Sequence, residues 1–346
     1  MINEIRIDLL ADYVQLQFDL LPEKDVLFKN SIINKAPSDL AVAKESGERV
    51  RIPLFELDGG GWENILTPPV TAGTVASTPN NATTYTANGL TMRDEYAIKA
   101  WRRKLFEWSR ANDFLRTKGY TDQAYIEIAR QLFRDAMRTI DDDMHRVLQG
   151  AIPAANEYDE TVNNFLTRDV TKRYLDPRII NQASGEIGDN MGLLDILIVH
   201  SKVWRNLKDS AYATYANATL LEPTNLQPES KNLWLADGKI VYVTDKCKND
   251  VGETGEVTYE SYLLAPNTLE LMIHEDYHIV LDAQSALMET QYARGNIGYT
   301  PHLKGMEYLL TAPVKPTSAQ IGSASNWQLG RYSDAKEVTA VRIITN

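Results

Sequence analysis

One cysteine, Cys247, stands in 346 residues, which excludes an intramolecular disulfide and a Cys-rich zinc site. No apolar run approaches the roughly 20 residues that a membrane-crossing helix needs. The opening, MINEIRIDLL, carries acidic residues and has no basic segment ahead of an apolar one, so it does not read as a secretory signal. Positive charge is in deficit: 36 Lys and Arg face 47 Asp and Glu, a net charge of −11. A surface of that sign does not neutralise phosphates, which argues against non-specific nucleic-acid binding as the main role. The expectation is a soluble protein made in a reducing compartment. With 43% apolar and 24% charged residues, the chain can bury a real core, as one large domain or as two to three lobes.

Asp58–Ala97 (DGGGWENILTPPVTAGTVASTPNNATTYTANGLTMRDEYA) is the segment least able to fold alone. Half of its 40 residues are Thr, Gly, Pro or Asn. Alternating Val and Thr favour extended backbone, and the Gly and Pro residues interrupt any helix. An ordered insertion so poor in apolar side chains gains stability by lying on something else. As a two-stranded hairpin it would reach roughly 65 Å at about 3.3 Å per residue. Another subunit is the partner that such an arm implies.

Elsewhere the pattern is that of a packed α+β protein. Residues 1–48 contain two short candidates, Ile5–Leu21 and Asp39–Glu45, and Arg49–Leu57 (RVRIPLFEL) alternates like a strand. Ile98–Arg110 reads as a helix that buries Trp101, Leu105 and Trp108 and hydrates its cations. Thr121–Gln149 has apolar residues at three- and four-residue steps, from Tyr125 to Leu148. Thr121 is its candidate N-cap, and Gly150 and Pro153 are its expected stop. Its other face stacks Arg130, Arg134 and Arg138 at four-residue spacing, which costs a few tenths of a kcal/mol per pair unless outside anions offset it. Leu193–His200 reads as a buried strand followed by a helix that Ser201 caps. Short strands fill 222–265, and a last strand spans Glu337–Thr345 after a Ser/Gly/Asn-rich stretch. No internal repeat is present.

His274-Glu275-Asp276-Tyr277-His278 matches H-E-x-x-H, which binds zinc only on a helix, where both imidazoles share one ion. The flanks decide against it. Leu269, Leu271, Ile273, Tyr277, Ile279 and Leu281 occupy one parity, so Leu269–Asp282 reads as a strand. On a strand the two histidines lie about 13 Å apart, too far to share a metal. Gly59-Gly60-Gly61 lacks the Lys-Ser/Thr of a phosphate loop, and Gly185–Gly192 is not placed as a dinucleotide turn. Asp141-Asp142-Asp143 with His145 suggests a cation site, but consecutive helical residues diverge and a solvated helix end is the reading preferred. His200-Ser201 has no third partner nearby in sequence. No catalytic or metal constellation is left, and no cofactor is expected.

An arm that needs a partner, a long helix, a compact lobe and a long strand late in the chain form a recognisable order. Its landmarks are SIINKAPSDLAV before VRIPLFEL, AIKAWRRKLFEWS ahead of the long helix, LDILIVHSKVWRNLKDS, LELMIHEDYHIVLD, and SNWQLGRYSDAKEVTAVRIITN. This order resembles the major capsid proteins of tailed bacteriophages, with the HK97-type fold. The resemblance implies an N-terminal arm at 1–48 and an extended β-hairpin E-loop at 49–97. It implies a peripheral domain at 98–185 and 266–313, with a spine helix at 121–149 and a long strand at 269–282. An axial α/β domain at 186–265 and a C-terminal segment at 314–346 complete it.

The implied function is a structural, non-enzymatic one: pentamers and hexamers of an icosahedral shell around packaged double-stranded DNA, with no sequence-specific DNA contact and no membrane. Implied partners are the chain itself, a separate scaffolding protein (fewer than 50 residues precede the E-loop), a portal and a decoration protein. The implied location is the virion, after assembly in the host cytoplasm. Candidate subunit contacts are Trp62, Pro68, Val70, Val75 and Tyr85 on the arm, with Arg102, Arg103, Arg130, Arg134 and Arg138. An encapsulin-like compartment shell is the alternative on the same fold, and a zinc protease is the enzyme alternative. Some members of the family cross-link an E-loop Lys to a neighbour's Asn, but no Lys occurs here between Lys44 and Lys99. Boiled assemblies should therefore run as single chains on a denaturing gel, without a ladder of covalent multimers.

Overall fold

A computed structural model describes residues 33–35, 40, 47–57, 90–109, 121–152, 167–169, 174–215, 239–249, 257–285, 290–330 and 335–345. The alternating RVRIPLFEL segment forms strand β2 (Arg49–Leu57), as its pattern predicts. It pairs antiparallel with a further strand, from Arg49 opposite Ile98 to Leu57 opposite Leu90. That partner is β3 (Leu90–Ile98). Val50, Ile52 and Ala97 bury one face of this stem against Leu40 and Met272.

The helix expected over 98–110 is a strand, β4 (Ala100–Ser109). Helical spacing of Trp101, Leu105 and Trp108 is outweighed here by pairing with another strand along the whole of 100–109, which aromatic-rich segments favour. The burial is also the reverse of the expectation. Trp101 and Leu105 are 43% and 58% exposed, while Lys99 is buried and Arg102 turns inward. Side chains alternate across a strand, so 100, 102 and 104 face one way and 101, 103 and 105 the other.

β4 closes a sheet of order β1-β10-β11-β4, in which β1 is Ile33–Lys35, β10 is Leu269–Ser285 and β11 is Thr290–Leu303. β1 runs parallel to the start of β10, and the other pairs are antiparallel. The strand read at 269–282 is confirmed and extends three residues further, to Ser285. Its register against β11 slips between Ile273 and Glu275, between Glu275 and His278, and between Leu281 and Ala283. β11 carries Gly295, Gly298 and Pro301, and this composition is why its sequence does not announce a strand.

The long helix, α1, runs Thr121–Ala151, through Gly150 rather than stopping before it. Leu132, Ala136, Met137, Ile140, Met144, Val147 and Leu148 share one hydrophobic core with Ala100, Leu269, Leu271, Ile297 and Tyr299 of this sheet. Full burial contributes about 1.5–3 kcal/mol for each such large apolar side chain. Arg130, Arg134 and Arg138 are exposed on the opposite face. The helix end read as solvated is instead inside the protein: Asp141, Asp143 and His145 are buried. On the outer sheet face Trp101 meets His274 edge-on, with ring centroids 4.8 Å apart, across Gly298. A Cβ at Gly298 would lie 2.8 Å from His274 Nε2 and 2.9 Å from Trp101 Cζ3.

The second sheet has the order β5-β14-β9-β6-β7, with β8 on β9. Its strands are β5 (Thr167–Asp169), β6 (Ile196–Val199), β7 (Ile240–Val243), β8 (Lys248–Asn249), β9 (Thr258–Leu264) and β14 (Ala340–Thr345). Helices α2 (Pro177–Gly185) and α3 (Ser201–Tyr215) cover it, through Ile179, Ile180, Ala183, Val203, Trp204 and Leu207. Asp176 caps α2 by accepting from Ile179 N–H at 2.8 Å. α3 is capped by His200 rather than by Ser201, because His200 Nδ1 accepts the Lys202 N–H at 3.0 Å.

In chain order between the two sheets lies a folded clasp, which takes in the stretch after Pro313 that reads only as Ser/Gly/Asn-rich. It contains β12 (Met306–Tyr308), the short α4 (Ser318–Ile321) with a Thr317/Gln320 capping box, and β13 (Trp327–Leu329) paired with β12. Trp327 donates its indole N–H to the Ile321 carbonyl at 2.7 Å and packs directly on Gly150. No described helix is long and apolar enough to cross a membrane.

Two measurements check this packing. A Cβ at Gly150 would stand 2.7 Å from Trp327 Nε1 and closer still to the Ile321 carbonyl. Alanine gains about 1 kcal/mol of helix propensity, and overpacking typically costs about 1–3 kcal/mol. With a backbone oxygen in the way the clash wins, so Gly150→Ala should lower the denaturation midpoint. The second concerns His145, whose pKa burial lowers from 6.5 to about 4, helped by the charge of Lys246. Below pH 6.5 the unfolded chain takes up a proton that the folded one refuses, so stability falls as pH drops from 6.5 to 4, by roughly 3 kcal/mol from this group. Melting curves across that range should lose part of their pH slope in His145→Leu.

Candidate functional site

The C-terminal half of α1 is where charge enters the interior, and three polar junctions form around it. Toward the first sheet, Arg102 of β4 donates to Asp143 Oδ2 through Nε at 3.0 Å and Nη2 at 2.6 Å. Its Nη1 reaches the Pro316 carbonyl at 2.8 Å. The Tyr299 hydroxyl donates to the same carboxylate oxygen, and burial together with Asp143 pushes its pKa well above the ordinary phenol range. Two turns earlier on the helix, Lys104 pairs with Asp135.

Toward the second sheet, Lys246 Nζ bridges Asp141 and Asp142, the latter at 2.8 Å. Burial pushes the Asp141 carboxyl upward even though Lys246 opposes it. Burial also works to lower the Lys246 pKa, but its bonds to both carboxylates outweigh this and raise it. Lys246 is therefore held as a cation.

Beyond it, Arg342 of β14 pairs with Glu260 of β9, and the Tyr262 hydroxyl and Gln149 Nε2 donate to Glu260 Oε2. Arg342 also donates to the Ile152 carbonyl at 3.0 Å and the Gln149 carbonyl at 3.4 Å. These are carbonyls that a helix C-terminus leaves without partners, and a cation there complements the helix dipole. The helix is thus fastened by opposite charges to two sheets at once.

This arrangement is one of internal ion pairing. Each carboxylate meets a cation from the same chain, and among the described residues no group of three or more His, Cys, Asp or Glu is placed to hold a metal. The H-E-x-x-H match lies on β10, so the shared helical face that the zinc reading needs is missing. His200-Ser201 does acquire a third partner: the Ser201 hydroxyl donates to Asp245, and His200 Nε2 lies 3.8 Å from that carboxylate. The order is wrong for a nucleophile. The serine proton points at Asp245, and the imidazole lone pair on Nδ1 already accepts the Lys202 N–H.

Of the expected contact residues, Trp62, Pro68, Val70, Val75 and Tyr85 lie outside the described residues. Arg103 is exposed and donates to Asn296 Oδ1 at 3.3 Å. Arg130, Arg134 and Arg138 share the outer face of α1, and Arg102 is committed inside the chain to Asp143. The sequence singles out Asp143 only as part of a solvated helix end, and it does not point to Lys246, Glu260 or Arg342. A signal existed for the last two: each is the lone charge in an otherwise uncharged strand, TYESYLL and AVRIIT, and the signs are opposite.

Residues 71–341 match the family model described as Gp13-like, major capsid protein 13-like. Comparison with curated protein sequences finds no match. Among solved structures, the chain is similar to one titled the capsid asymmetric unit of cyanophage Pam1. Identity is 14% and the TM-score 0.52, over 94% of this chain and 93% of that one. A capsid structure of Ralstonia phage GP4 aligns at 9% identity and a TM-score of 0.48, over 91% and 87%. The first of these likenesses carries the fold, α+β with the long helix laid on a long sheet. The family match covers most of the chain, and on it the chain belongs to the Gp13-like major capsid protein family.

Proposed function

We propose that this chain is the shell subunit of a tailed-phage head, assembling with copies of itself into pentamers and hexamers that close an icosahedral capsid around double-stranded DNA. The observation that carries this reading beyond the family is the β2–β3 stem. It is a paired, anchored hairpin whose strands lead directly into residues 58–89, a segment too poor in apolar side chains to hold itself. The stem and residues 58–89 are then the E-loop, and Trp62, Pro68, Val70, Val75 and Tyr85 are its contacts on a neighbouring subunit.

The same reading assigns the first sheet and α1 to a peripheral domain and the second sheet to an axial domain. The second sheet also draws in β5 and β14 from outside 186–265. Arg103, Arg130, Arg134 and Arg138, exposed on this acidic chain, are cations for carboxylates of adjacent subunits. The chain works by assembly and not by catalysis. Partners are a separate scaffolding protein, a portal and a decoration protein, and the mature location is the virion, after assembly in the host cytoplasm.

Leu57 and Leu90 form the last pair of the stem. Residues 58–89 can therefore be replaced by Asn-Gly, a two-residue turn that closes such a hairpin without strain. Co-expressed with the scaffolding protein, the parent chain should give closed shells in negative-stain electron microscopy. The shortened chain should keep its circular dichroism and melting behaviour and give no shells. Closed shells from the shortened chain would remove the arm from the assembly mechanism.

A further inference from the structure

The stem is held to the body in two ways that differ in kind. One is the small apolar cluster of Val50, Ile52, Ala97, Leu40 and Met272. Apolar contact is non-directional, so it resists separation without fixing an angle. The other is a pair of polar anchors, one on each strand. On β2, Arg49 donates to three carbonyls of one turn: Leu309 at 2.7 Å, Leu310 at 3.0 Å and Ala312 at 2.6 Å. On β3, the carboxylate of Glu95 is fully buried, with His302 Nε2 at 2.7 Å and the Gly305 N–H at 3.1 Å.

Both anchors end on one short stretch, 302–312, and both need it folded as it is. Gly305 makes its turn at φ +90°, a backbone region that side chains disfavour. A Cβ at Gly330 would lie 3.2 Å from Glu95 Cγ, so the carboxylate is enclosed from that side too. The Arg49 guanidinium lies 6.0 Å from the centre of the Tyr308 ring, and that ring meets Trp327 edge-on at 5.2 Å. Trp327 in turn packs on Gly150 of α1. The foot of the stem is thereby referenced to the spine helix through direct contacts.

Arg49 stands opposite Ile98 and Glu95 opposite Ile52, so the anchors are three residue pairs apart, about 10 Å at roughly 3.3 Å per residue. One anchor would let the stem swing about a point. Two, on opposite strands and with hydrogen-bond geometry that weakens steeply off axis, fix its direction.

We infer that Arg49 and Glu95 are positioning residues that set the direction in which the stem leaves the body, and hence where the arm of one subunit reaches the next. The second half of this inference rests on the proposed role of the arm in assembly.

Spin labels on Thr91→Cys of the stem and Arg205→Cys of α3, in the full chain with Cys247→Ala, read the direction without assembly. The parent should give one narrow distance distribution. Arg49→Ala combined with Glu95→Ala should broaden it about twofold while leaving helix content unchanged, as expected when a segment loses its directional contacts but not its fold. Arg49→Lys alone, which keeps donors for the carbonyls, should stay narrow. In co-expressed assemblies the double variant should spread particle diameters or leave open fragments where the parent closes.

A distribution in the double variant as narrow as the parent's would overturn the inference. If the double variant fails to fold, Arg49→Ala alone is measured, and an unbroadened result there overturns it equally. A parent that forms no shells under any co-expression would defeat the assembly reading, while the label distances would still decide the role of the foot.

Discussion

The rest of the structure depends on the neutralisation of Asp141 and Asp143 inside the protein. A carboxylate taken out of water without a partner costs several kcal/mol, comparable to a large part of a domain's net stability. The two residues point to different sides of α1, so each requires a cation from a different sheet. Arg102 answers from the first and Lys246 from the second. Apolar packing alone would allow the helix to slide or roll by small amounts at little cost. The charges do not, because a displaced carboxylate is an unpaired one. Arg342, tied to Glu260 and to the last carbonyls of the helix, adds a third fixed point.

How much of this could be read in the sequence differs by element, for physical reasons. β2 and β10 were legible because alternation is a local property, visible in the sequence without any partner. α1 was legible because its apolar residues repeat over more than six turns, from Tyr125 to Leu148. β4 was misread because three aromatic and apolar residues fall at helical spacing, and only the long-range partner β11 decides between the periods. Gly150 reads as a stop because glycine is a poor helix former, yet it admits Trp327, which lies far away in sequence. The Asp run was given to solvent for the same reason: Arg102 and Lys246 cannot be assigned to it before the fold is known. The contact residues on the arm rest on composition alone.

The distribution of charge follows a division of labour. Cations in the body, Arg49, Arg102, Lys246 and Arg342, are spent on carbonyls and carboxylates of the same chain. Those on the outer face of α1, Arg130, Arg134 and Arg138, stand exposed on a chain of net charge −11. Pairs formed inside are shielded from salt, whereas pairs formed at the surface weaken as ionic strength rises. The internal architecture and the external associations of such a subunit therefore respond differently to the same change in solvent.

β10 has 17 residues and its partner β11 has 14. Three register slips absorb the difference, and each places more backbone on one side of the ladder than on the other. Like a strip bonded to a longer one, the pair cannot lie flat. It bends and twists at each slip. A protein made in many copies at high local concentration runs the hazard of sheets joining edge to edge without limit, since a straight edge is a template for the next. An edge wound out of plane offers no such continuation. The surplus residues of one strand thus work against the joining of sheets edge to edge.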